Sequence, residues 1–448
     1  MQLISFSKRV LAISLYFVVS SAYCLDLSAS YELALKNDPT FRSAFKDYQS
    51  GLQNEVIGFS NLLPKLSMSY NQNSNWSTQT APQSPGGPSV STSWVYPSNY
   101  SSFQLTQPLF NLDALSRFRE GKAQANQSRS KLLLNQQELL IRVSQAYVDL
   151  LFSVDQYDFQ YAERNAFLSQ YELSKNLQQR GDASKTDVLE AESTYQISDA
   201  KLIEAFDNIE NNKRKLIDII GQPLNDVGEL SRIPRRFKYI ELSSSNFEDW
   251  QNKALESNAE IRVAKDNINI SKLEYERNYS AHYPIVNLIG TVSNQMSNTA
   301  STIDQQFKQS YIGVQVNVPL YSGGEIKARS DQSFLNFEKA QFEFEVVKSR
   351  VVTELRKQFD AIISGQKKIQ ALQLAQESGE ELVKAMRKSV LAGERANVDV
   401  LLSEKSLFNT RRDLAQVTYG YFLAYLKLNQ LSGNLEVEEF QKIASYFK

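Results

Sequence analysis

The chain has 448 residues, of which 22% are charged, and its formal net charge is −1. This balance argues against a nucleic-acid-binding protein, which carries a clear excess of basic residues. Cys24 is the only cysteine, so the sequence excludes a disulfide framework and a thiolate metal site. Mean hydropathy is −0.40, and no apolar run after the N-terminal segment approaches the roughly 18 residues of a membrane-spanning helix.

The first 24 residues have the composition of a secretory signal peptide. The basic pair Lys8-Arg9 precedes an apolar stretch at residues 10–19, and small residues follow it. A membrane anchor fits less well, because a helical span needs roughly 20 apolar residues. The small residues allow cleavage after Ala22 or after Cys24. Lipidation of Cys24 is a third alternative, which the bulky Tyr23 disfavours.

A pair of strands is the first element predicted in the exported part. Apolar residues alternate with polar ones at 66–70 and, more weakly, at 103–109, which is typical of strands with one apolar and one polar face. We expect a polar connector at residues 71–100. Its aromatic residues are either interfacial or ordinary loop residues; they are Trp76, Trp94 and Tyr96.

A very long helix is predicted next, at about residues 114–180. No proline interrupts the chain between Pro108 and Pro223, and apolar residues recur at helical spacing. A helix of this extent is roughly 100 Å long. We expect it to stop at Gly181, and a shorter helix to end at Gly221.

The second half predicts the same elements in the same order. Alternating residues at 286–292 and 312–320 indicate two strands with a polar connector at 294–310. A second long helix is expected at about 325–392, followed by a break at Gly393 and a shorter helix ending at Gly433.

Sequence identity between the halves indicates a tandem duplication. Ala34-Leu35 recurs as Ala254-Leu255, and Asp187-Val188-Leu189 recurs as Asp399-Val400-Leu401. The repeat is too long for a solenoid unit and reads as a duplicated half-molecule. The expected divisions are a signal peptide at residues 1–24, a first repeat at 25–240 and a second repeat at 241–448.

Four strands per chain leave the sheet open, because the smallest bacterial barrels have about eight strands. Either the sheet stays open or several chains pool their strands, and three chains would supply twelve. The long helices are likewise open to two interpretations: an antiparallel coiled coil that acts as a spacer, or the wall of a helical barrel.

In their order, the motifs of both halves resemble the TolC family of outer-membrane export channels. The resemblance covers essentially the whole exported chain. Its markers are Asn37-Asp38-Pro39, Leu63-Pro64, Gln107-Pro108-Leu109-Phe110, Ala146-Tyr147-Val148-Asp149-Leu150, Thr186-Asp187-Val188-Leu189, Val318-Pro319-Leu320-Tyr321 and Val398-Asp399-Val400-Leu401.

The resemblance implies an α+β membrane protein in the outer membrane of a Gram-negative bacterium. Three chains would form a twelve-stranded β-barrel, continued by a long periplasmic α-helical barrel and surrounded by a mixed equatorial domain. The implied partners are two further copies of the chain, outer-membrane lipid, a periplasmic adaptor (membrane fusion protein) and an inner-membrane ABC or proton-driven transporter. No cofactor is implied. The cargo would be proteins, as in type I secretion, or small toxic compounds. The motifs resemble the protein-secreting branch of the family somewhat more.

Carried over by position, the resemblance places a gate beside the helix breaks. Thr186 and Asp187 fall where the first repeat supplies its gate partners, and Arg395 falls where the second repeat supplies a basic partner. Asp399 matches an acid that rings the constriction. The alternative for both aspartates is an ordinary helix-start role, since Asp is favoured there by the helix dipole.

Two positions depart from the family pattern at this gate. Val390 replaces a tyrosine that helps to hold the closed state, and Leu402 stands where a second ring acid is expected. The resemblance makes the surrounding tip the adaptor contact; its residues are Gly181, Asp182, Gly393 and Glu394.

A protein of another class is the rival interpretation: a periplasmic coiled-coil spacer or adhesin with a soluble sheet and no channel. An enzyme is a distant third. His282 is the only histidine and is expected at the surface, and no nucleophile, phosphate loop or metal-ligand set accompanies it.

Overall fold

The computed structural model describes residues 25–181, 183–224, 227–231, 240, 242–297, 305–392, 394–395, 397–435 and 437–446. The predicted signal peptide, residues 1–24, lies outside the described residues. The predicted division between the repeats, at 240/241, falls where only one of the two flanking residues is described and stays a prediction.

The described elements form the same series twice: two helices, two strands, one long helix and one shorter helix. The first series is α1 (Leu27–Asn37), α2 (Pro39–Ser60), β1 (Lys65–Pro82), β2 (Ser89–Phe110), α3 (Leu112–Arg180) and α4 (Lys185–Ile220). The second is α5 (Phe247–Ser257), α6 (Ala259–Ser280), β3 (Ile285–Ser297), β4 (Gln305–Asn317), α7 (Glu325–Leu391) and α8 (Asn397–Leu431). A 3-10 turn (Val227–Glu229) follows the first series and α9 (Val437–Ala444) follows the second.

The long helices α3 and α7 confirm the helices predicted at 114–180 and 325–392. The side chain of Asn111 begins α3 by accepting a hydrogen bond from the backbone N–H of Ala114 at 3.0 Å. Gly181 ends it with a φ of 85°, a left-handed conformation that glycine adopts without a side-chain clash. With 69 and 67 residues, the two helices are each about 100 Å long.

In each repeat, the shorter helix ends against an asparagine side chain at the end of the first short helix, although the two asparagines are one position apart in the repeat. Asn37 donates from Nδ2 to the carbonyl of Ile220 at 2.8 Å, and Asn258 donates to the carbonyl of Leu431 at 2.9 Å. Each bond satisfies a carbonyl that has no partner within its helix. Gly433, at a φ of 76°, lies so close to Ser257 that an added Cβ would be 2.6 Å from its backbone.

The four strands form one antiparallel sheet in the order β1-β2-β3-β4. Both predicted connectors are shorter than expected, because the strands extend into residues 71–100 and 294–310. The strand predicted at 312–320 ends instead at Asn317, so Val318 and Leu320 lie outside it. Pro319 accounts for this end, since proline has no N–H to donate to the ladder.

One face of the sheet is apolar across all four strands. Leu66, Leu105, Gly290 and Ile312 form one continuous row through the strand register. The same face also carries Met68, Phe103, Leu288, Val292, Val314 and Val316. The opposite face carries mainly serine, threonine, asparagine and glutamine. In a single chain the apolar residues of β4 are open to solvent; Ile312, for example, is 75% exposed.

The β1–β2 hairpin continues beyond the rest of the sheet. The last pair that joins β2 to β3 is Ser98 with Ser297, whereas β1 and β2 stay paired as far as Pro82 and Ser89. Hydroxyl pairs support this two-stranded ribbon, including Thr80 with Ser91 at 2.6 Å. The aromatic residues of the predicted connector therefore lie in strands; they are Trp76, Trp94 and Tyr96.

The hydrophobic core lies where α3 and α8 pack against the short helices. Tyr147, Trp250, Phe422 and Phe440 are each at most 2% exposed and come from α3, α5, α8 and α9. The hydroxyl of Tyr147 donates to the carbonyls of Leu25 and Ser231 at 2.9 and 3.0 Å. This belt of short elements around the long helices corresponds to the predicted equatorial domain.

Candidate gate at the helix breaks

The first repeat builds its helix break from a capping box at the start of α4. The side chain of Ser184 accepts from the backbone N–H of Asp187 at 3.1 Å, and Asp187 Oδ2 accepts from the backbone N–H of Ser184 at 3.0 Å. This reciprocal pair satisfies two N–H groups that the helix leaves open. Thr186 and Asp187 are both exposed, and Asp187 has the helix-start role that was the alternative to a gate role.

The second repeat places an aspartate at the same position of its returning helix. Asp399 is the third residue of α8, just as Asp187 is the third residue of α4. The sequence has Ala396 where the first repeat has Ser184, so no capping hydroxyl is available. Instead, Oδ2 of Asp399 lies 3.7 Å from Nη1 of Arg395.

Arg395, two residues before α8, is therefore paired with the first turn of that helix. Its side chain is 57% exposed and that of Asp399 is 36% exposed. Within one chain and among the described residues, no hydrogen bond or ion pair joins Arg395 to Thr186 or Asp187. The structure thus brings together two of the four predicted gate residues, and a link between the repeats would have to form between chains or in another state.

The predicted tip is only partly described. Gly181 is exposed, and a Cβ built on it would meet no atom within 4 Å. Glu394 is also exposed, and its backbone N–H donates to the carbonyl of Ser389 at 3.0 Å. Asp182 and Gly393 lie outside the described residues. At the two departures from the family pattern, Leu402 is 61% exposed and Val390 is half-buried.

Each helix hairpin is held together by an arginine that sequence reasoning missed. In the first repeat, Arg164 on α3 donates to Asp199 at 3.0 Å and to the hydroxyl of Tyr195 at 2.9 Å, both on α4. In the second, Arg387 on α7 donates to the buried carboxylate of Glu404 on α8. Because these partners lie on different helices, no local sequence pattern marks them.

A second pair on the α7–α8 hairpin has the same character. Arg411 on α8 donates to Glu380 on α7 at 2.7 Å, and this bond lowers the pKa of Glu380 from its ordinary value. Such charge-assisted bonds hold the two helices of each hairpin together.

Comparison with known proteins agrees with this architecture. The profile of the outer membrane efflux protein family matches residues 30–222 and 250–434, one segment in each repeat. The chain belongs to this family. None of the helices in the described part of the chain has the length and apolar character that a bilayer crossing requires.

Two curated relatives match nearly the whole chain. The alkaline protease secretion protein AprF of Pseudomonas aeruginosa is 32% identical over 95% of this chain and 88% of its own length. The outer membrane protein TolC of Vibrio cholerae is 24% identical over 96% of this chain and 95% of its own length. Among solved structures, the CmeC outer membrane channel of Campylobacter jejuni superposes with a TM-score of 0.78 at 17% identity, covering 94% of this chain and 90% of CmeC.

This family membership identifies the chain as an outer membrane protein with long periplasmic helices. As a member of this family, it serves as the outer-membrane exit duct of an export system. The resemblance to the TolC family is confirmed, and so are the predicted location and the tandem arrangement. The rival interpretation, a coiled-coil spacer or adhesin without a channel, is not supported.

Proposed function

We propose that this chain is the outer-membrane duct of a protein-secreting, type I system. The observation that carries the proposal is its 32% identity to AprF, a protein named for the secretion of an alkaline protease, over 95% of the chain. The duct itself contributes a passage and no chemistry, in keeping with a family of channel proteins rather than enzymes.

In this proposal three copies of the chain pool their strands. The sheet has open edges at β1 and β4, and each edge exposes unpaired backbone N–H and C=O groups. Pairing β4 of one copy with β1 of the next would remove all edges and give a closed barrel of twelve strands. The apolar face would then meet outer-membrane lipid, and the hydroxyl- and amide-rich face would line the passage.

The partners follow from the same proposal. An inner-membrane ABC transporter supplies the energy, and a periplasmic adaptor bridges it to the helix tips at Gly181, Asp182, Gly393 and Glu394. A proton-driven transporter would be the partner if the cargo were small toxic compounds. The two tandem repeats, residues 25–240 and 241–448, give each copy two helix breaks, so three copies present six tips.

The gate belongs to the same proposal. Arg395 lies beside an acid in the first turn of the following helix, Asp399, and the exposed Thr186–Asp187 pair lies just past the equivalent helix break. Exchange of Arg395 between these acids would change both the links between helix hairpins and the charge at the constriction. Because Val390 has no hydroxyl, Arg395 would supply a larger share of the closing links.

Complementation tests the cargo directly. The chain would be expressed in a Pseudomonas aeruginosa strain that lacks AprF, and alkaline protease would be measured in the culture supernatant. Restored protease supports the proposal. Normal insertion in the outer membrane without secreted protease, together with increased resistance to small toxic compounds, would contradict it in favour of drug efflux.

A further inference from the structure

A polar cleft opens between three helices from both repeats. Its volume is about 320 Å³. It lies along α3, with α4 on one side and α8 on the other. The lining side chains that matter here are Phe159, Gln160, Glu163, Lys201, Phe408 and Arg412.

Two buried acceptors in this cleft lack a donor. Glu163 is only 6% exposed, and no hydrogen bond or ion pair to its carboxylate is found within the described part of the chain. One turn earlier on the same helix, Oε1 of Gln160 is fully buried and has no hydrogen-bond partner. A fully buried acceptor without a donor is costly and uncommon, so Oε1 of Gln160 points to a ligand that donates. The unpaired carboxylate of Glu163 lines the same cleft and can accept from the same ligand.

The cations of the cleft do not satisfy Glu163. Arg412 donates instead to the neighbouring Asp413, at 2.9 and 3.1 Å. Lys201 is exposed, and its ammonium lies beyond ion-pair distance of Glu163. The cleft therefore combines an unpaired carboxylate with a second acceptor and two phenyl rings.

We propose that this cleft binds a small organic cation with an apolar body. Its ammonium group would donate to Glu163 and to Oε1 of Gln160, and its body would lie against Phe159 and Phe408. Aromatic rings attract a cation through their electron-rich faces as well as by apolar contact. The cleft has the size of small-molecule sites, which begin at about 300 Å³. A metal ion fits less well, since the described residues contain no group of three or more His, Cys, Asp or Glu side chains that could hold one.

The proposal goes beyond the export function and does not depend on the cargo. Because α3 and α4 belong to the first repeat and α8 to the second, an occupant would connect the two repeats within one chain. A ligand that binds only the folded protein also stabilises it, so occupancy would raise the melting temperature.

Calorimetry on the full chain purified in detergent tests the chemistry of the ligand. The probes are benzylammonium, benzyltrimethylammonium, which has the charge but no N–H donor, and benzyl alcohol, which has no charge. We expect saturable binding of benzylammonium, with both other probes at least about tenfold weaker, because each lacks one part of the charge-assisted bond. Equal binding of benzyl alcohol would overturn the proposal.

Three variants locate the site. Glu163→Gln should weaken benzylammonium binding about tenfold, whereas Glu172→Gln, an exposed carboxylate on the same helix, should leave it unchanged. Lys201→Gln should tighten binding, because the lysine ammonium repels the ligand and competes for Glu163. Absence of saturable binding in both the unmodified chain and Lys201→Gln would contradict the proposal even if Glu163→Gln fails to fold.

Discussion

Arg395 is the residue whose charge has two possible uses at the helix break. Its ion pair with Asp399 spans 3.7 Å, and the arginine side chain is more than half exposed, so the pair contributes little to stability. A link from Arg395 to Asp187 of another helix hairpin would form and break at similarly small cost. Such a contact suits a gate, which must release when partners dock.

Loss of this cation should favour the open state. We expect Arg395→Ser to raise single-channel conductance in planar bilayers without loss of the trimer, because it removes the charge-assisted link proposed to close the gate. Asp187→Ala should have the same effect. Glu394→Gln, also exposed and next to Arg395 in sequence, is the control and should leave conductance unchanged. Unaltered conductance in both Arg395→Ser and Asp187→Ala would remove Arg395 from the gate.

Asp399 should determine ion selectivity rather than closure. Three symmetry-related carboxylates around a narrow opening favour cations. Asp399→Asn should lower the cation preference, measured as the reversal potential in a salt gradient, and it also removes the carboxylate that pairs with Arg395. If Asp399→Asn keeps the original selectivity while Leu402→Asp changes it, Asp399 has only a helix-start role.

Glu120 predicts a pH dependence of stability near the sheet. It is 8% exposed, and burial raises the pKa of its carboxyl group, although Arg277, at 2.8 Å, opposes this rise. A raised pKa means that the folded chain holds this proton more tightly than the unfolded chain does. The resulting stability is present below the ordinary value of 4.5 and is lost as the pH rises through the raised pKa.

Thermal unfolding of Glu120→Gln tests this sign. Between about pH 4 and pH 7, Glu120 should make the melting temperature of the unmodified chain fall as the pH rises. This contribution should be missing in the glutamine variant. Glu32→Gln, an exposed carboxylate on α1, should keep that decrease. The same slope in Glu120→Gln as in the unmodified chain would contradict the assignment.

Among the elements, β4 gives the most direct test of the membrane face. Val314 lies in the middle of the apolar rows and is opposite Leu288, whereas Gln315 points to the polar face. A charged residue at the lipid midplane costs about 2–4 kcal/mol. Val314→Arg should therefore reduce the amount of trimer assembled in the outer membrane, measured on semi-native gels, and Gln315→Arg should not. Equal assembly of the two variants would show that this strand does not face lipid.

The helices could be predicted from the sequence more accurately than the strands. Gly181 and Gly221 mark helix ends through a left-handed backbone that only glycine adopts readily, so the signal is local. The ribbon at residues 71–100 has no apolar alternation, and its strands are supported instead by backbone pairing and by bonds such as Thr80 to Ser91. A segment rich in serine, threonine and asparagine is predicted to be a connector, because the sequence does not show that it pairs with another strand.

At the candidate site, too, some residues could be predicted from the sequence and others could not. Family position predicts gate roles for Asp187 and Asp399, and the structure places both at the third residue of a returning helix. The arginines that hold the hairpins could not be found this way. Arg164 meets Asp199 only because α3 and α4 fold back on each other, and the spacing of such a pair depends on where the helices cross.

At the scale of the whole molecule, a single chain leaves strand edges unpaired and apolar side chains exposed. In the described part of the chain, the sheet has four strands and two open edges, and large apolar residues stay exposed on the long helices, such as Phe342 at 73% and Val346 at 67%. Exposed apolar surface of this kind marks contacts with lipid or with further protein. Three copies would cover it and close the sheet in one step.

The mass of the detergent-extracted protein tests this central claim most directly. Light scattering with correction for bound detergent should give a particle that contains three chains, each at most 50.9 kDa. A trimer is the result expected if four strands per chain are pooled into one closed barrel. A stable particle of a single chain that still conducts ions in planar bilayers would contradict the account.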